Sequence, residues 1–240
     1  MINSSPDTPA TNHLLIHTST TALSAATGKD GPAGKADFGH IYNEPHPARY
    51  YQVLGEYDYR IPEYGAAVVR RLLQARSDDH CGPDAEPPTV LDVCCSYGIG
   101  AALLTTELGL ADLYTHYGAA GRGGPGGAGS VEADRAWFTE HRRADAARVI
   151  GLDVAENAVS FAVASGIMAH GIVADLERDP MPPQAAAAVA EVDVVMCTGG
   201  VGYITERTFD RLLTAIPNPP WLAVFCLRTY DFGPLSLIHI

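Results

Sequence analysis

Five apolar runs of strand length divide the chain, and polar or small residues follow each at its carboxyl end. The first four are Val90-Leu91-Asp92-Val93, Val149-Ile150-Gly151-Leu152-Asp153, Gly171-Ile172-Val173-Ala174-Asp175 and Val192-Asp193-Val194-Val195-Met196-Cys197-Thr198. The fifth, over 221–228, is apolar from Leu222 through Leu227. Near-continuous apolar runs suit parallel strands buried on both faces. Between them apolar residues recur at helical spacing. Ala67, Val68, Leu72 and Leu73 predict a helix over 63–76, and Ile99, Leu103, Leu110, Leu113 and Tyr117 predict one over 99–117 with a break at Gly109. Trp137 and Phe138 anchor a charged helix over 132–147, and Val159, Ala162 and Val163 mark another over 156–168. Phe209, Leu212 and Leu213 mark a last one over 206–216, ended by Pro217-Asn218-Pro219-Pro220. Strands alternating with helices predict an α/β, doubly wound, Rossmann-like sheet.

The chemistry sits where strands end. Asp92 is carried into Cys94-Cys95-Ser96-Tyr97-Gly98, and a helix follows at once. That layout turns loop amides and a helix N-terminus toward a ligand. Asp153 and Asp175 close the next two strands, and the fourth runs into Cys197-Thr198-Gly199-Gly200. One acid after a strand is often only a helix cap. Three on successive strands form an ordered set of ligand contacts. A nicotinamide fingerprint needs Gly-x-Gly-x-x-Gly, and the first loop lacks its first two glycines.

These residues resemble the class I S-adenosylmethionine (SAM)-dependent methyltransferases, whose first motif is hydrophobic-hydrophobic-Asp-hydrophobic-Gly-x-Gly-x-Gly. Asp92 falls on the acid and Gly98 on the last glycine, while Cys94 and Ser96 replace the other two. The resemblance covers roughly 60–230. It implies that Asp92, Cys94, Ser96 and Gly98 frame the methionine half of SAM. It likewise implies that Asp153 holds the ribose hydroxyls, that Val154 flanks the adenine and that Asp175 and Leu176 face its edge. Cys197, Thr198 and Gly199 would floor the site beside the methyl group. The implied activity is in-line methyl transfer to a small-molecule acceptor. Tyr203, His46 and Tyr51 are candidate bases. The loop after the fourth strand is not the Asn/Asp-Pro-Pro-aromatic pattern the family uses for planar amino nitrogens. Two other readings stand beside this one: a degenerate methyltransferase-like binding domain without catalysis, and an NAD(P)-dependent oxidoreductase.

Composition narrows the partners. The chain has 240 residues and a net charge of −12, which repels phosphate backbones and argues against a nucleic-acid partner. Arg70-Arg71 and Arg142-Arg143 read as solvated helix faces. Five cysteines without paired spacing fit a reducing, cytoplasmic setting rather than a disulfide framework, and no ligand spacing points to a metal. No apolar run has the length of a membrane span.

The domain reading has four parts. Residues 1–36, rich in Ser, Thr, Ala, Gly and Pro, read as a disordered leader. Residues 37–88 form a tyrosine-rich cap and a helix; in the family, the segment before the first strand packs over the cofactor and acceptor mouth. Residues 89–234 form the SAM-binding domain, interrupted by a glycine-rich loop over 118–130. The family's C-terminal hairpin is missing, which predicts a truncated chain. The tail 235–240 resembles the translation of a transposase adaptor end, so it is expected to be non-native.

Overall fold

The apolar runs pair into a single all-parallel sheet in the computed structural model, which describes residues 14–17, 41–79, 86–120, 129–226 and 233. In chain order the elements are β1 (Leu14–His17), α1 (Ala48–Glu56), α2 (Ile61–Asp79), β2 (Thr89–Val93), α3 (Ile99–Thr105), α4 (Leu110–Ala120) and α5 (Val131–Glu140). Then come β3 (Arg148–Asp153), α6 (Glu156–Ala164), β4 (His170–Val173), α7 (Pro183–Val189), β5 (Val194–Thr198), α8 (Glu206–Ala215) and β6 (Trp221–Phe225). The strand order is β1-β4-β3-β2-β5-β6. From β2 the chain steps outward through β3 to β4, then returns to the other side of β2 for β5 and β6. That reversal opens a crevice beyond the carboxyl ends of β2 and β5, where open α/β sheets bind their ligands.

Alternation along each strand divides the core in two. Val90, Val149, Val194, Met196 and Ala223 face the layer containing α1 to α6. Leu91, Ile150, Leu152, Ile172, Val195 and Cys197 face α7 and α8. Every β2 residue is buried, as the centre of a sheet covered on both faces demands. Among the described residues no helix is long and apolar enough to cross a membrane.

Several element boundaries differ from the sequence expectation for local reasons. The break expected at Gly109 within 99–117 is present, wider than one residue, and separates α3 from α4. Thr105 and Thr106 donate their hydroxyls back to the carbonyls of Ala101 and Ala102, Thr106 turns extended, and Asp112 accepts the Gly109 amide at 2.8 Å to start α4. Helix α5 stops at Glu140, short of 147, and α6 stops at Ala164 before Gly166 at φ +80°, a left-handed helix end that glycine adopts readily. Helices α1 and α7 were not expected: Pro45 and Pro47 masked the first, and the alanine run 185–188 gave α7 no apolar stripe. Leu14–His17, inside the segment read as a disordered leader, pairs in parallel with β4. The rest of 1–36, most of the glycine-rich loop, and the tail with the expected missing hairpin lie outside the described residues. Arg70 and Arg142 are more than solvated: each donates to a backbone carbonyl, of Leu103 and Gly166 respectively.

Candidate functional site

The loop after β2 keeps a glycine-like backbone although two of its residues carry side chains. Cys94, Ser96 and Gly98 have φ of +60°, +47° and +79°. All three occupy the left-handed region that costs an L-residue about 1–2 kcal/mol. At Gly98 a side chain would add crowding to that strain, because a Cβ would stand 2.7 Å from Ile167 Cδ1 and 3.1 Å from Ala162 Cβ. The loop is pinned to the neighbouring strand: the Cys94 amide donates to Leu152 O at 2.8 Å, and the Ser96 amide donates to Asp153 Oδ2 at 2.9 Å.

Asp153 is thereby held from two sides, since its Oδ1 accepts the Ala155 amide at 3.0 Å. A carboxylate oxygen has two acceptor sites. The Val154 amide adds a third donor, which leaves the carboxylate one acceptor site for a ligand. Burial raises its pKa, and the amides of Ala155, Ser96 and Val154 oppose that rise. Asp92 is only 2 % exposed, and none of the described residues donates a hydrogen bond to its carboxylate. Burial, with Cys197 and Asp153 nearby, pushes it well above the usual carboxylate range. A buried carboxylate without a donor is costly unless something cationic or protic meets it.

Both acids line a cavity of about 560 Å³ at the crevice beyond β2 and β5, within the range of small-molecule and cofactor sites. Of the residues expected from sequence, Asp92, Cys94, Ser96, Asp153, Val154, Asp175, Leu176, Thr198, Gly199 and Tyr203 all line it. Gly98 does not; it shapes the loop as the N-cap of α3. Cys197 lies beneath the lining, fully buried, with its thiol hydrogen-bonded to that of Cys94. That bond, followed by burial, pushes the Cys94 thiol up. Asp175 accepts the Glu177 amide at 3.0 Å and faces Arg178 at 3.5 Å, so it also shapes its own turn.

His46 and Tyr51 are elsewhere. Tyr51 is buried and stacked on Tyr117 with ring centroids 4.4 Å apart. His46 Nε2 lies 3.3 Å from the fully buried Asp134, which also meets His116 Nε2 at 2.8 Å. Neither lines the cavity.

Sequence reasoning assigned no role to the groups that seat the cap. Asn43 accepts the Asn157 amide at 2.9 Å and its carbonyl accepts from Asn157 Nδ2 at 2.8 Å. This caps α6, whose own N-cap, Ala155, has no side-chain acceptor. Tyr97 donates its hydroxyl to Glu44 O at 2.7 Å. Tyr42, Asn43, Tyr50 and Tyr59 of the cap thus line the cavity. Glu177 was also missed. It accepts from the Thr205 amide, the Thr205 hydroxyl and the Thr208 hydroxyl at 2.7–2.9 Å, fastening the turn after β4 to the start of α8. Nothing local distinguishes Asn43 or Glu177 from other polar loop residues, because their partners are distant in sequence.

Compared with known proteins, the chain matches no family model, no curated protein and no solved structure.

Proposed function

We propose that the cavity binds SAM and that the protein is a methyltransferase acting on a small molecule. The observation that supports this most is the pair of acids within it. Asp153, held at the cavity wall by backbone amides with acceptor capacity to spare, suits a ribose hydroxyl. Asp92, buried and with no donor among the described residues, suits the ammonium of the methionine part. The left-handed Cys94, Ser96 and Gly98 let the loop backbone approach that part closely, as glycines would. Val154, Leu176 and Ile204 supply apolar walls for a planar base.

When bound, SAM supplies an electrophilic methyl group on a positively charged sulfur, and the cofactor carries the hard chemistry. The residues here bind and orient. Asp153 fixes the sugar, the loop over 94–98 fixes the amino-acid part, and the end of β5 bounds the space beside the reacting carbon. Tyr42, Tyr50 and Tyr59 of the cap line the same cavity and narrow the space in which an acceptor would be held.

Thermal denaturation with added ligands tests this reading. A ligand at 100 times its Kd stabilises the folded state by about 2.7 kcal/mol. S-adenosylhomocysteine should therefore raise Tm by several degrees, and NAD should leave it unchanged. A shift with NAD and none with S-adenosylhomocysteine would favour the oxidoreductase reading; no shift with either would leave the cofactor assignment without support.

A further inference from the structure

We propose that Cys94 and Cys197 are a redox-sensitive pair whose disulfide reshapes the wall of the cavity and weakens ligand binding there. Strands β2 and β5 run side by side with Asp92 opposite Met196. Cys94 and Cys197 therefore follow neighbouring strands and stand one step out of level. Both sulfurs lie 2.7 Å from the point that a Cβ on Gly200 would occupy. The bare backbone of Gly200 leaves room for two thiols at one spot. They are reduced and hydrogen-bonded to each other.

Cys95, the next residue, does not compete. It belongs to the core on the opposite face of the sheet, where its sulfur and Met168 crowd Gly151. Cys94 and Cys197 both pack on the α7 and α8 side. Access to the pair is one-sided: Cys94 is half-buried and lines the cavity, whereas Cys197 is fully buried beneath it. A small oxidant such as hydrogen peroxide meets Cys94 first.

The Cys94 thiolate attacks one peroxide oxygen, the O–O bond breaks, and Cys94 becomes a sulfenic acid. The hydroxide that leaves takes up the proton given by the Cys94 thiol and becomes water. Cys197 sulfur then attacks the sulfenic sulfur. The S–S bond forms as the S–O bond breaks, and the oxygen leaves as a second water with the Cys197 proton. The two thiols lose two electrons and the peroxide gains them. The attacking species is the thiolate, and the hydrogen bond with Cys197, followed by burial, keeps the Cys94 thiol protonated at neutral pH. Asp92, Asp153, Cys95, Tyr42 and Tyr59 are the titratable groups near the pair among the described residues, and none is cationic. Oxidation is thus slow at neutral pH and speeds up as pH rises.

A disulfide holds its sulfurs about 2.0 Å apart, far closer than hydrogen-bonded thiols. Closing the bond draws Cys94 toward β5 and pulls on the loop over 94–98, whose Ser96 amide fixes Asp153. The pairing stands without the SAM reading; its effect on the ligand used below rests on that reading.

The reduced full chain is exposed to hydrogen peroxide at neutral and at alkaline pH and mapped by tandem mass spectrometry. A Cys94–Cys197 cross-link should form, faster at alkaline pH, revert with dithiothreitol and be absent in Cys197→Ser. A bond to another cysteine, a sulfinic acid at Cys94 without a cross-link, or persistence of both thiols would overturn the pairing, and the map of the parent chain decides this even if the variant does not fold. In calorimetric titration, S-adenosylhomocysteine should bind the cross-linked chain at least about tenfold more weakly than the reduced chain, a difference of about 1.4 kcal/mol. Equal affinity of the two forms would overturn the effect on the ligand. If S-adenosylhomocysteine does not bind the reduced chain, the SAM reading and the ligand effect fail together, while the map still decides the pairing.

Discussion

Cys94 and Ser96 test whether a glycine position needs glycine or only its backbone conformation. Both residues have φ near +50 to +60°, the part of the left-handed region that a side chain can occupy at a cost of about 1–2 kcal/mol. Replacing both by glycine removes that cost but adds freedom to the unfolded chain, an offset of about 0.4–1 kcal/mol per site. The double variant Cys94→Gly, Ser96→Gly should therefore be equally or slightly more stable in a denaturant titration. It should bind S-adenosylhomocysteine within a few-fold of the parent. A gain from no binding to micromolar binding, more than roughly 4 kcal/mol, would mean that the native loop is degenerate. That Cys94 and Ser96 adopt a conformation glycine favours became visible only in the backbone.

Among elements, the cap is joined to the insertion helices by the acid shared between His46 and His116. Asp134 belongs to α5, His116 to α4, and His46 precedes α1. Burial alone would raise the Asp134 carboxyl, but the hydrogen bond with His116 and the nearby His46 ring, 3.3 Å away, hold it below the usual carboxylate value. A depressed folded-state pKa stabilises the protein above the unfolded carboxylate pKa of about 3.9. That contribution is lost as pH falls through the folded value. Asp134→Asn should cost about 1–3 kcal/mol near neutral pH and flatten the acid limb of Tm against pH. An unchanged acid limb would show that this carboxylate does not couple the cap to α4 and α5. The sequence contained all three residues but not their meeting, because apolar periodicity reports which face is buried and not which polar groups meet there.

On the scale of the whole molecule, the five strands β2 to β6, the α/β class and the crevice at their carboxyl ends follow from features legible in the chain. Apolar runs marked the parallel strands, and small or acidic residues at their ends marked the loops. Ten of the residues singled out as cofactor contacts or bases do line one cavity. The parts that were not legible are those fixed by long-range packing: the seating of the cap by Asn43 and Tyr97, the fastening role of Glu177, and the removal of His46 and Tyr51 from the site. The central claim is that Asp153, fixed by the amides of Ser96 and Ala155, is the sugar-binding acid of a SAM site. Calorimetric titration of S-adenosylhomocysteine into the parent chain and into Asp153→Asn tests it most directly. Loss of hydrogen bonds to a charged group is worth about 1.5–3 kcal/mol, so the variant should bind roughly ten- to a hundredfold more weakly while melting cooperatively. Equal affinity of a folded Asp153→Asn variant and the parent would contradict the account.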